Sequence, residues 1–186
     1  MNHFFQNESF GEDYFTYPNL YAELVSVLPD GSVFVEVGSW KGRSISFFLT
    51  EMLNQNKQFC TFCVDTWNGS EEHQHMDCVS DDRLYSIFME NTKPVRDWFT
   101  PIRMPSTQAA KFFPNNSITA AFIDAAHDYE SVKNDISAWL PKIRRGGLIM
   151  GHDYLYGGVH KAVHERFGES VMARNTMENC WIVRIP

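Results

Sequence analysis

An α/β doubly wound fold, with helices on both faces of a mostly parallel sheet, is the class this sequence predicts. Three observations carry it. Short apolar runs alternate along the chain with segments of helical periodicity. The run VFVEV at 33–37 leads straight into a glycine turn and a helix start, GSWKGRS. Acids, glycines or histidines also stand at four predicted strand ends: Glu36 with Gly38, Asp65, Asp124, and Gly151-His152-Asp153. Strand–helix alternation makes a parallel sheet covered on both faces. Ligands in such sheets bind outside the carboxyl ends of the strands, near the switch in strand order.

The elements follow in order. Residues 1–17 are polar and aromatic without a period and read as an arm able to cover a site. From Pro18 to Leu28, the residues Leu20, Leu24, Val25 and Leu28 fall at helical spacing. Pro29-Asp30-Gly31-Ser32 is a turn, and 33–37 a buried strand. Residues 42–53 are helical, with Ile45, Phe48, Leu49 and Met52 on one face. Residues 59–64 form the second strand, ended by Asp65; 66–79 is a long polar loop; 81–91 is a helix with Leu84, Ile87 and Phe88 inward. The third strand is 99–104, a short helix spans 107–113, and the fourth strand is 119–123, ended by Asp124. Residues 129–140 are helical, with Val132, Ile136 and Leu140 on one stripe. Arg145-Gly146-Gly147 reads as its stop and turn, before a fifth strand at 148–150. A last helix at 159–167 and a hairpin of 171–172 with 181–185 close the chain. One domain accounts for this layout, an arm and helix over 1–28 and a core over 29–186.

Composition narrows the class. The chain has 186 residues and is 44% apolar, enough for a proper core. Its formal charge is −7, from 23 acids against 16 Lys plus Arg, with no basic run, which disfavours nucleic acid as a partner. No apolar run approaches the ~18 residues of a membrane span. The first residues lack the basic start and apolar stretch of a signal peptide, so a cytoplasmic location is expected. Cys60 and Cys63 form a C-x-x-C, but no second pair completes a zinc site. They also lie in a strand, where positions three apart face opposite sides. Core or surface thiols are the expectation.

The glycine turn is the first candidate site. Gly38 and Gly42 bracket Ser39-Trp40-Lys41, and glycine lets a backbone turn sharply and a ligand approach closely. Arg43 and Ser44 open the following helix, whose free N–H groups favour a polar ligand portion. Asp65, ending the second strand, can accept from both hydroxyls of a ribose. A dinucleotide site expects G-x-G-x-x-G around a pyrophosphate. Here the spacing is G-x-x-x-G with Glu36 just before it, and a carboxylate beside a pyrophosphate repels. Beside an ammonium or sulfonium it attracts. The residues therefore point to S-adenosylmethionine. A nicotinamide-dependent oxidoreductase and a non-catalytic nucleoside-binding domain on the same fold remain as alternatives. A hydrolase is disfavoured by the lack of a G-x-S-x-G turn.

The segments VEVGSWKGRS, VDTWNGSEEH, MPSTQAAKFF, FIDAAHDYESVKNDISAWLPKIRRGGLIMGHDY and GGVHKAV resemble the class I S-adenosylmethionine-dependent methyltransferases. More closely, they are similar to the small O-methyltransferase-type family grouped with macrolide-sugar O-methyltransferases and cephalosporin-hydroxylase-like proteins. The resemblance implies a Rossmann-like, seven-stranded, mostly parallel sheet with a C-terminal antiparallel hairpin. It implies that Glu36, Gly38, Ser39 and Gly42, with Ser44, cradle the methionine part. Asp65 would hold the ribose, Thr66 and Trp67 would flank the adenine, and Ser106 with Thr107 would meet its polar edge. Many relatives carry a third glycine where Trp40-Lys41 stands; Trp40 either shapes the pocket or packs on the arm.

The resemblance also bears on the fourth and fifth strand ends. In the resembling metal-dependent enzymes an acid at the Asp124 position and a pair at the His152-Asp153 positions bind a metal, with a base at or near His127. Asp124 is expected on the cofactor side as well. A divalent ion lowers the pKa of an acceptor hydroxyl and orients it, and a histidine takes the proton near neutrality. Imidazole suits transition metals better than magnesium; both stay open, with Asp124 and Asp153 as ligands and His152 as a third. Asp128 is a natural helix cap, and His127 could simply brace that turn. Lys142, Arg144 and Arg145 read as a solvated helix end. His73, His75 and Asp77 read as part of a substrate lid. The expected partner is a small-molecule acceptor such as a sugar, a phenol or an amino-acid derivative, with a homodimer left open.

Overall fold

The computed structural model describes residues 1–70, 76–174 and 177–186. Seven strands form one sheet in the order β3-β2-β1-β4-β5-β7-β6. β1 (Val33–Val37) pairs in parallel with β2 (Cys60–Asp65) and with β4 (Ile118–Ile123). β3 (Thr100–Arg103) extends the sheet beyond β2, and β5 (Ile143–Gly151) extends it beyond β4. β7 (Trp181–Arg184) runs antiparallel to both β5 and β6 (Met172–Ala173). The expected hairpin is therefore present, with its second strand inserted against the parallel sheet. Strand order reverses between β1 and β4, and a crevice opens there.

Two apolar layers flank the sheet because alternate strand residues face opposite sides. Phe34 and Phe122 face α1 (Pro18–Val27), α2 (Arg43–Asn54) and α4 (Leu84–Asn91). Val35, Val37 and Ala121 face α6 (Tyr129–Trp139) and α7 (Gly157–Phe167). The Phe34 and Phe48 rings stack with centroids 4.1 Å apart, fixing α2 against β1. Short helical turns α3 (Asp77–Ser80) and α5 (Ser106–Ala109) complete the set.

Three expectations are corrected. The helix expected at 81–91 begins at Leu84, and α3 interrupts what reads as one polar loop. The helix expected at 107–113 is α5 followed by a tight turn over Ala110–Phe112. Arg145-Gly146-Gly147 is not a helix stop: α6 ends before a tight turn at Leu140–Lys142, and the glycines lie inside β5. Ile118 pairs with Ile143 but Ala120 with Leu148, so the extra residues bulge from the strand. Gly146, at φ 73, donates its N–H to Ile185, and Ile185 donates back to Gly147. The bulge is held by the far end of the chain, a partner that no local pattern reveals. Arg144 and Arg145 are accordingly exposed strand residues.

Candidate active site at the carboxyl edge of the sheet

A cavity of about 850 Å³ lies over the ends of β1, β2, β4 and β5. That volume suits a nucleoside cofactor together with a small acceptor. Gly38, Ser39, Ser44, Asp65, Thr66, Ser106, Asp124, His127, His152 and Asp153 all line it. Sequence-distant residues meet there because each follows a strand of one parallel sheet.

The glycine turn forms one side of the cavity. Gly38 has φ 91, and a Cβ on it would stand 2.0 Å from the carbonyl oxygen of Asp124. No side chain fits between the two strand ends. Trp40 follows at φ 47, a left-handed conformation costly for a large residue. Trp40 lines the cavity, and Lys41 Nζ lies 5.6 Å from its ring centroid.

Asp65 fastens this turn. Its Oδ2 accepts from the Trp40 N–H at 2.9 Å and its Oδ1 from the Trp67 N–H at 2.7 Å. Burial raises its pKa, and the backbone N–H bonds pull the other way. The amides of Ser39 and Thr66 add to this hold, and Asp65 lines the cavity.

Glu36 lies under the turn, 1% exposed, rather than on the cavity wall. It accepts from Tyr21 Oη at 2.9 Å, Ser39 Oγ at 2.7 Å and Ser44 Oγ at 2.8 Å. Burial pushes it up to about 7 against those three bonds. Two of its donors, Ser39 and Ser44, line the cavity. Gly42 is also off the wall; a Cβ there would meet Thr92 Cγ2 at 2.5 Å. The Trp67 side chain is turned away from the cavity into the core against Tyr85 and Phe88. Thr107 is exposed outside the cavity, whereas Ser106 Oγ accepts from Trp139 Nε1 at 2.8 Å.

The second half of the cavity gathers the ionisable residues of β4 and β5. Asp124, His152 and Asp153 each offer one ligand atom, and those atoms lie within 4.8 Å of one another. His152 Nδ1 is 3.6 Å from Asp124 Oδ1 and 3.1 Å from Asp153 Oδ2. His127 Nε2 is 2.9 Å from Asp153 Oδ2. Burial works against a charged His152, but bonding to both acids and their charges outweigh it and raise the group to about 10. Burial likewise favours a neutral Asp153, yet His127 and His152 hold it well below the usual carboxylate range. Asp128 caps α6, its Oδ1 accepting from Ser131 N at 3.0 Å. His127 does more than brace that turn, since it reaches Asp153.

The N-terminal arm supplies a wall that the sequence marks only by its aromatic content. Glu12, Asp13, Tyr14, Phe15, Thr16 and Tyr17 line the cavity. Arg43 pins the arm, donating to the carbonyls of Phe5 and Gly11, each at 2.7 Å. Tyr17 Oη donates to Asp124 Oδ2 at 2.8 Å. Burial, then the charge of Asp124, raises the Tyr17 pKa, so this phenol keeps its proton. Asn179, before β7, also lines the site, and nothing in the local sequence marks it. His73 and His75 fall outside the described residues, and Asp77 opens α3. The four cysteines are unpaired, Cys60 exposed and Cys63 buried. Among the described residues no helix is long and apolar enough to cross a membrane.

Comparison with known proteins agrees with this architecture. A family model described as a methyltransferase domain matches residues 35–154. A curated relative, the uncharacterized protein y4gI of Sinorhizobium fredii (strain NBRC 101917 / NGR234), is 27% identical over 119 residues. That match covers 64% of this chain but 13% of the relative, so the chain spans a small part of its length. Among solved structures, the O-methyltransferase NovP aligns with a TM-score of 0.69 at 13% identity, over 91% of this chain and 79% of NovP. Cofactor-bound Rv0187 from MTB aligns at 0.68 and 13% identity, over 95% and 83% of the two chains. CalS11, a TDP-rhamnose 3'-O-methyltransferase, aligns at 0.60 and 14% identity, over 90% and 77%. At these identities the structural likeness is one of fold. The family match runs from inside β1 to just past Asp153 and takes in the turn, Asp65 and the β4 and β5 strand ends, and on it this chain belongs to the methyltransferase-domain family, built on the class I fold.

Proposed function

We propose that this chain is an S-adenosylmethionine-dependent methyltransferase acting on a hydroxyl of a small molecule, with a divalent ion at Asp124, His152 and Asp153. One observation carries the reading: a single cavity joins a carboxylate suited to a ribose diol, Asp65, to a compact carboxylate–imidazole group suited to a cation. The donor chemistry fits both groups. S-Adenosylmethionine supplies a sulfonium methyl carbon, and a divalent ion supplies acidification of the acceptor hydroxyl.

The chain's own residues do the rest. Ser39, Ser44 and Asp65 hold the methionine and ribose ends. His127 takes the acceptor proton, and its imidazolium then stands 2.9 Å from Asp153. Bound S-adenosylmethionine would supply its methyl group to the oxygen that His127 deprotonates, with the thioether as leaving group. The arm walls the site from water. Unpaired thiols accord with a cytoplasmic location.

Calorimetry with S-adenosylhomocysteine, with a reduced nicotinamide dinucleotide as the comparison, tests the cofactor. Turnover on a hydroxylated acceptor panel should fall on chelation and return with Mn²⁺. Absence of S-adenosylhomocysteine binding at millimolar concentration, or preference for the dinucleotide, overturns the proposal.

A further inference from the structure

Each member of the Asp124–His152–Asp153 group turns one atom to the others and has its second atom held from outside, and Asp153 Oδ2 also meets His127 Nε2 at 2.9 Å. The inward atoms are Asp124 Oδ1, His152 Nδ1 and Asp153 Oδ2. Outside, Asp124 Oδ2 accepts from Tyr17 Oη at 2.8 Å, and Asp153 Oδ1 accepts from Asn179 Nδ2 at 3.2 Å. His152 Nε2 is 2.9 Å from Thr16 Oγ1.

The Thr16 contact has a direction. A threonine hydroxyl carries one proton, and that of Thr16 is donated to the Glu178 carbonyl at 3.3 Å. With the hydroxyl proton on that carbonyl, the same oxygen is left to accept from His152, which places a hydrogen on Nε2. A neutral His152 then has its lone pair on Nδ1, the atom set between two carboxylates. Ligation of a cation needs that tautomer, and the hydrogen bond of the other nitrogen selects it.

We propose that Thr16, Tyr17 and Asn179 are positioning residues, an outer shell through which the N-terminal arm and the segment before β7 orient the metal ligands and fix the tautomer of His152. The inference rests on the metal-assisted reading above. It also gives the arm a defined task. Phe15 packs on Phe5, Phe47 and Tyr21, and Arg43 pins the preceding segment, so Thr16 and Tyr17 arrive at the cluster already ordered. Tyr17 also lays its ring 4.8 Å from that of His152. Arg43 is the first residue of α2, so the helix that opens at the cofactor turn also anchors the outer shell.

The test uses Co²⁺ as the probe, titrated by visible absorption into the wild type, Thr16→Val, Tyr17→Phe and Thr16→Ser. Thr16→Val and Tyr17→Phe should bind about 10- to 100-fold more weakly, and Thr16→Ser should keep nearly wild-type affinity. Far-ultraviolet circular dichroism should superimpose in all four, which separates loss of orientation from loss of fold. In the Zn²⁺-loaded wild type, ¹⁵N spectra should show His152 ligated through Nδ1 with its hydrogen on Nε2. Ligation through Nε2, or equal Co²⁺ affinity in all four proteins, overturns the proposal and leaves the metal site standing. No Co²⁺ binding by the wild type removes both.

Discussion

The indole nitrogen of Trp67 donates to the main-chain carbonyl of Trp40 at 2.9 Å, and the amides of both residues donate to Asp65. Both tryptophans have positive φ, 47 for Trp40 and 53 for Trp67. A non-glycine residue in that region costs roughly 1–2 kcal/mol. Trp40 holds it because Asp65 accepts from its N–H and Trp67 donates to its C=O. The strain sits at the turn lining the candidate site, and strained residues tend to gather at functional sites.

Asp65→Asn turns one acceptor into a donor facing a main-chain N–H. It should lower S-adenosylhomocysteine affinity by at least about tenfold and cost roughly 2 kcal/mol of stability. Trp67→Phe keeps most of the ring but leaves the Trp40 carbonyl without that donor, and should weaken binding by less. Calorimetry and chemical denaturation of both variants check the order. Equal affinities in wild type and Asp65→Asn would remove Asp65 from the site.

Gly38→Ala places a methyl group 2.0 Å from the Asp124 carbonyl oxygen at φ 91. Neither main chain can yield without breaking the β1–β4 ladder, where Asp124 N donates to Val37 O at 2.8 Å. A loss of roughly 3 kcal/mol or more is expected. Thermal unfolding measures it; a melting temperature near wild type would contradict the geometry.

Glu36 makes stability depend on pH in a stated direction. Its folded pKa, about 7, lies above the usual 4.5, so between those values the folded state holds more protons. Stability therefore falls as pH rises from about 4.5 to 7, by on the order of 3 kcal/mol from this group. Glu36→Gln should flatten that slope while its amide oxygen retains a hydroxyl partner. Unfolding free energies measured across this interval decide it, and an unchanged slope in the variant would refute the assignment.

By itself the sequence determined the alternating α/β plan, the strand ends at Glu36, Asp65, Asp124 and Asp153, and the G-x-x-x-G turn between the first strand and its helix. These are local: periodicity sets strand and helix, and a parallel sheet collects their ends on one edge. Only the tertiary structure decided which of those side chains meet the cavity. Glu36 sinks beneath the turn because Tyr21, from a helix before β1, rises to meet it. Trp67 turns inward because Tyr85 and Phe88 of α4 provide its place. The Arg145-Gly146-Gly147 bulge needs the C-terminal segment, and the outer contacts of Asp124, His152 and Asp153 come from Tyr17, Thr16 and Asn179. All of these partners are distant in sequence, and side-chain direction follows from packing against them, which no local window contains.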